Sequence, residues 1–216
     1  MLYKGRGTCA VALVALLAAG AEAGSLVVTL KDQDGVAVSD AVVYVASIDG
    51  QASAPAPQQV TVDQVDEAFV PHVRAVGVGA SISFPNSDHI RHHVYSFAPA
   101  KTFELPLYTG LPAAPIRFDQ AGLVTLGCNI HDHMLGYILV VNTPWYAEVA
   151  SGTARIDNLP AGELAVRIWH PRLSGETELE LTVQAAASGD TTVQQQLTLL
   201  PERKARRAPR RGSSRY

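Results

Sequence analysis

Cysteine, methionine and tryptophan occur only twice each in this 216-residue chain. Two cysteines, Cys9 and Cys128, cannot build a disulfide framework, so stability has to come from a packed core. Charged residues make up only 17% against 47% hydrophobic, which excludes a wholly disordered chain. No apolar run reaches the ~20 residues that a membrane-spanning helix needs. There is no G-x-x-x-x-G-K loop to cradle phosphates, no G-x-S-x-G turn and no helix–strand alternation. Those absences remove the nucleotide-binding and serine-hydrolase classes. The length suits one large domain or two small ones.

The net charge of −3 is unevenly spread. Pro201–Tyr216 carries seven Lys/Arg and one Glu, and residues 1–23 carry Lys4, Arg6 and Glu22. Residues 24–200 therefore hold 8 basic against 18 acidic groups. The acidic body reads as a solvated face that keeps the chain soluble. The stretch 201–216 is basic, polar and without periodicity, and reads as a disordered tail. No aromatic residue interleaves its charges before Tyr216, so a nucleic-acid partner is not expected.

Lys4 and Arg6 precede the short apolar run Ala10–Ala19, and Ala21-Glu22-Ala23 follows as a small-x-small site. This is the pattern of a secretory signal peptide over 1–23, with the mature chain starting at Gly24. It predicts a periplasmic protein of a Gram-negative bacterium with no stable membrane span. Cys9 leaves with the signal, and Cys128 remains alone. A single thiol in an oxidising compartment is a liability unless something occupies it.

Beyond residue 24 the period is two. Leu26, Val28 and Leu30 share a phase, as do Ala80, Ile82 and Phe84, then Leu164, Val166 and Ile168, then Leu179, Leu181 and Val183. Turn signals such as Asp34-Gly35, Pro85-Asn86 and Pro160-Ala161-Gly162 separate the runs. Short alternating strands with almost no amphipathic helix predict an all-β, antiparallel Greek-key sandwich. Gln51–Gln58, QASAPAPQ, reads as an extended linker.

The chemistry concentrates in Gly127-Cys128-Asn129-Ile130-His131-Asp132-His133-Met134. Val124, Leu126 and Cys128 share one strand phase, which sends the thiol the same way as the core residues. Thiolate, imidazole and thioether within seven residues form a soft donor set of the kind that suits copper. Calcium and magnesium want oxygen, and zinc rarely uses methionine. His89, His92 and His93 lie upstream, and a strand can send only one of His92 and His93 toward the thiol. His72 and His170 read as surface or sandwich-edge residues.

These residues resemble the cupredoxins. Cys128-x-x-His131-x-x-Met134, with Gly136 two residues on and a β-rich run behind it, is similar to the family's ligand loop, in the amicyanin-type spacing. Ile82-Ser83-Phe84-Pro85-Asn86 followed by His92 and Val94 resembles the strand that brings the first histidine. Gly77–Ala80 and the Phe118–Gly122 turn resemble the flanking pieces. The resemblance covers about residues 58–143. It implies one copper ion held by His92, Cys128, His131 and, weakly, Met134, in a mononuclear type 1 site. It implies an electron carrier, not an enzyme, with a redox partner protein. His93 stands where the family often has Asn. His133 sits inside the loop as an alternative to Met134, which would make a red-copper-like site, and copper delivery is the alternative function. The combined motifs are similar to methylamine-utilization proteins. The flanks, Val27–Gly35 with Ser39–Val43 and Gly152–Val166, resemble a carboxypeptidase-regulatory-like or transthyretin-like sandwich. The expected domains are thus a split β-sandwich over 24–56 and 145–200 around a cupredoxin unit over 57–144.

Overall fold

A computed structural model describes residues 24–46, 55–56, 58–112 and 114–202. The expected signal peptide, most of the expected linker and nearly all of the expected tail lie outside the described residues. No helix among the described residues is long and apolar enough to cross a membrane.

Two strands open the chain, β1 (Gly24–Asp32) and β2 (Val42–Val45). Ten follow in the central stretch. They are β3 (Gln59–Thr61), β4 (Asp63–Val65), β5 (Ala68–Val70), β6 (Val73–Gly77), β7 (Ala80–Ser83), β8 (His92–Ala98), β9 (Lys101–Tyr108), β10 (Ile116–Phe118), β11 (Gly122–Gly127) and β12 (Leu135–Val141). Five close it, β13 (Tyr146–Glu148), β14 (Thr153–Leu159), β15 (Gly162–Trp169), β16 (Leu179–Ala185) and β17 (Gly189–Leu197). The molecule is all-β. Alternation fixes the faces: Leu26, Val28 and Leu30 of β1 are buried while Val27 and Thr29 are half-covered.

The strands gather around two cores. Sheets β14-β1-β17 and β13-β2-β15-β16 enclose Leu26, Val28, Leu30, Val43, Ile156, Leu164, Val166 and Ile168. Sheets β6-β12-β11-β8-β9 and β10-β7-β3 enclose Ile82, Phe84, Val94, Phe118, Val124, Leu126, Cys128 and Met134, with the β4-β5 ribbon supplying Phe69. Full burial of each of these phenylalanines contributes about 2–3 kcal/mol. A third cluster, Val42, Val73, Ala75, Leu139, Val141 and Trp169, joins the two sandwiches. Glu148 of β13 adds a polar tie by accepting from the Ala75 N–H at 2.8 Å and pairing with Arg74 at 3.2 Å.

One expectation needs correction. The sheets are mixed, not purely antiparallel: β1 runs parallel to β17, β12 to β6 and β3 to β7. Parallel partners need long connections and are distant in sequence, and period-two alternation reads the same in either direction.

Candidate metal centre

Three segments converge at one end of the central sandwich. Cys128 directly follows β11, in phase with buried Val124 and Leu126. An added Cβ at Gly127 would come within 2.8 Å of the Tyr95 ring, so a side chain there requires that ring to move. The loop that follows turns tightly, with the Met134 N–H donating to the His131 carbonyl at 2.9 Å before β12 begins. Gly136 lets Phe69 pack against this strand, where a Cβ would approach Phe69 to 2.9 Å.

His92 opens β8, and Asn86 holds the loop leading to it. The Asn86 Nδ2 donates to the Ile90 and Tyr108 carbonyls at 2.9 and 2.7 Å, and its Oδ1 accepts from the Asp88 N–H at 3.0 Å. Its backbone pairs with Gly110. The six-residue spacing from Asn86 to His92 is thus the length of a pinned loop.

His92 Nδ1 lies 3.9 Å from the Cys128 Sγ, and His131 Nδ1 lies 3.8 Å from it. The two rings stand 4.9 Å apart, centroid to centroid. His92 and Cys128 are buried and His131 is half-buried. Among the described residues these three form the one group of three or more His, Cys, Asp or Glu donors within metal-holding distance, all within 4.8 Å of one another. Bonds of about 2.3 Å to sulfur and about 2.0 Å to nitrogen put S and N about 3.7 Å apart at 120° and about 3.5 Å apart at the tetrahedral angle. The observed separations of 3.9 and 3.8 Å are close to both values, so one ion could reach the thiol and both rings.

The second nitrogen of His92 decides its tautomer. Nε2 lies 2.7 Å from Asp88 Oδ2, and an ionised carboxylate only accepts, so Nε2 carries the proton and Nδ1 offers its lone pair to the thiol side. Asp88 also accepts from the N–H groups of Asp66 and Glu67 at 2.7 and 3.0 Å. Burial works to raise the Asp88 carboxyl, but those N–H groups and His92 outweigh it and hold it below the ordinary carboxylate range. Burial lowers His131, with His92 and His133 adding to the effect and Glu67 and Asp88 opposing it. Burial thus favours the neutral form of the His131 ring, the form that a metal requires.

Met134 is buried in the same core cluster as Cys128. His133 stands 5.8 Å from the His131 ring, outside the three-donor group, with Nε2 3.3 Å from a Glu67 carboxylate oxygen. That contact is electrostatic and not a directed hydrogen bond, because the same nitrogen has no partner of hydrogen-bonding geometry. His93 turns the other way and meets Glu104 at 2.9 Å, and His89 is exposed. His72 packs edge-on against Tyr137. His170 corrects the surface reading: it is buried, and its Nδ1 accepts the Arg172 N–H at 3.0 Å. The sequence reading missed Asp88 and Glu67. The signal for Asp88 was a carboxylate four positions before His92 in a loop already marked by Asn86.

No protein-family model matches the chain, and no curated protein sequence matches it. Solved structures do, each over less than half of it. Reduced amicyanin with a proline-to-phenylalanine substitution is 23% identical over 38% of this chain and 82% of its own, with a TM-score of 0.35. A purple cupredoxin from Nitrosopumilus maritimus is 18% identical over 38% of this chain and 98% of its own, with a TM-score of 0.33. A copper-containing nitrite reductase from Thermus scotoductus SA-01 is 27% identical over 45% of this chain, with a TM-score of 0.36, and only 25% of that enzyme is covered.

Proposed function

We propose that this chain holds one copper ion between His92, Cys128 and His131, with Met134 as a weak fourth donor, and that it passes single electrons to a partner protein in the periplasm. The observation that carries the reading is the approach of two histidine Nδ1 atoms to one buried thiol at 3.8 and 3.9 Å. Copper in such a set gains and loses one electron without changing its ligands. The chain's own residues do the rest. Asp88 orients the His92 ring and fixes its tautomer. Phe69, Phe84, Leu126 and Ile138 are buried in the core that holds Cys128 and Met134, and that packing excludes water. His131 alone of the three ligands reaches the surface, with exposed Ile130 directly before it and exposed Leu135 four residues on, which suits contact with a redox partner.

Export rests on the signal-like residues 1–23 and on the lone Cys128. The two separate cores support reading 57–144 as a metal-carrying unit set into the sandwich of 24–56 and 145–200. Limited proteolysis tests that division: cuts near Ser53–Gln58 and Thr143–Trp145 should leave the metal-binding part whole.

The copper-loaded protein should show an intense thiolate-to-copper absorption band and a type 1 EPR signal. Cys128→Ser should remove the band completely while leaving the circular dichroism of the sheets in place. A band that survives in this variant overturns the assignment. A colourless, tightly held Cu(I) form with no reversible couple would instead indicate copper delivery.

A further inference from the structure

A cavity of about 710 Å³ lies at the junction of the two sandwiches, away from the metal centre. That is within the ~300–1,000 Å³ range of ligand pockets. Its walls include the rings of Tyr44, Tyr137 and Trp169, the side chain of Leu173, and the carboxylates of Glu176 and Glu178. Tyr137 and Trp169 stand 5.5 Å apart, tilted by 60°. Glu178 accepts from the Tyr44 hydroxyl at 2.6 Å. Glu176 is exposed and, among the described residues, has no ion-pair partner. The cations that line the cavity are otherwise engaged. Arg167 donates from Nε to Glu180 at 2.9 Å, and its NH1 lies 3.8 Å from Glu178. Burial, with Arg172 and His72 adding to it, lowers His170 to about 4, so that ring is uncharged at neutral pH. Aromatic faces beside carboxylates attract a cation, and a planar guanidinium both stacks and pairs there.

The described part of the chain ends beside this spot. After β17, Leu199 bridges to Leu173 on the cavity wall. The Leu200 N–H donates to the Arg172 carbonyl at 2.8 Å, and Arg172 NH1 donates to the Leu200 carbonyl at 2.9 Å. Leu199 and Leu200 thus sit beside the cavity wall. From residue 203 onward the sequence holds seven Lys/Arg and no acid, while residues 24–200 hold 8 basic and 18 acidic residues. Arg203, Lys204, Arg206 and Arg207 lie three to seven positions past Leu200, which is ~10 to ~23 Å of extended chain at ~3.3 Å per residue.

We propose that the junction cavity is the seat of the chain's own basic C-terminal segment, 203–216, docked in cis with an arginine guanidinium among Tyr44, Tyr137 and Trp169 and against Glu176 and Glu178. Docking there would touch both sandwiches at their shared face, because Tyr137 belongs to β12 of the central sandwich, Tyr44 and Trp169 to β2 and β15 of the other, and Glu178 directly precedes β16.

The test uses the full chain, a chain ending at Glu202 and a synthetic peptide of residues 201–216. A Trp145→Phe background leaves Trp169 as the only tryptophan. Trypsin should cut after Arg203–Arg211 at least tenfold more slowly in the full chain than in the free peptide, and salt should erase that protection. Trp169 emission should change on truncation and return, saturably, when the peptide is added. The exposed change Glu176→Lys should release the segment to trypsin without unfolding the protein. Equal cleavage rates together with unchanged emission overturn the proposal. So does protection that rises with protein concentration, which places the segment on a second copy. A peptide that binds the Glu176→Lys chain as tightly as the parent also overturns it.

Discussion

The two sandwiches are built on the same alternation but bury different chemistry. Among the described residues the buried cluster around β1 and β15 is aliphatic, from Leu26 to Leu199, with Trp145 packed against it. The core around β7, β8 and β11 holds three phenylalanines, a thiol and a thioether. Of the seven buried polar residues among the described ones, Gln64, Asn86, His92, His93 and Ser96 belong to this central part, and Thr143 and His170 lie on the junction cavity. Burying polar groups is costly unless they are paired, so their concentration marks where the structure serves something besides its own stability. On the proposed function the aliphatic sandwich is the frame and the other carries the metal.

Matched truncations separate these roles most strongly. Phe84→Ala and Leu164→Ala remove fully buried side chains, one from each core. Each should cost about 3–5 kcal/mol by chemical denaturation. Only Phe84→Ala should also disturb the copper spectrum. Equal spectral damage from Leu164→Ala would mean the two units are not functionally distinct.

The junction should respond to pH. His170 is lowered to about 4, chiefly by burial, so the unfolded chain takes up a proton from pH ~6.5 downward while the folded chain does not. Stability should therefore fall as pH drops from ~6.5 toward 4, by at most about 1.4 kcal/mol per pH unit, and then level off once both states are protonated. In His170→Gln that slope should become shallower, with a remainder from His131, which burial also lowers, as read from urea midpoints across the range.

Asp88→Asn sharpens the comparison at the metal end. The amide can still contact Nε2 but no longer enforces its protonation, so copper affinity should fall about 10- to 100-fold with the band position little changed. An unaltered affinity would reduce Asp88 to a loop-closing role. The smallest effect is expected from Met134→Leu, a volume-conserving change of less than about 1.5 kcal/mol. The absorption band should persist and the reduction potential should rise. If nothing changes there and His133→Ala removes the band, the fourth donor is His133.

Strand phase was the most legible property. The alternating runs at Leu26–Leu30, Ala80–Phe84 and Leu164–Ile168 place the same side chains inside that the structure buries. The phase shared by Val124, Leu126 and Cys128 likewise sends all three inward. The choice between His92 and His93 came from the resemblance, which places the first histidine six residues after Asn86; in the structure Asn86 bonds to Ile90 within that loop and to Tyr108 beside it. Strand direction was not legible, because parallel partners such as β1 and β17 are specified by contacts more than 150 residues apart. Nor were the Asp88 contacts, which join a loop to the turn at Asp66 and Glu67 through backbone N–H groups that any sequence possesses. His170 was misread because burial at a junction depends on what the second sandwich covers.

The pairing of β1 with β17 has a temporal consequence. Gly24 to Asp32 lie beside Gly189 to Leu197 along their whole length, so the first strand waits for the last before its edge is satisfied. The central strands close among themselves between residues 59 and 141. A chain emerging from a ribosome can thus complete the strands around His92, Cys128 and His131 while the surrounding sandwich is still open. Final closure reports that every residue up to Leu197 has arrived. A truncated product would carry a finished cargo unit on an unpaired β1 edge, an aggregation-prone state that a protease can recognise.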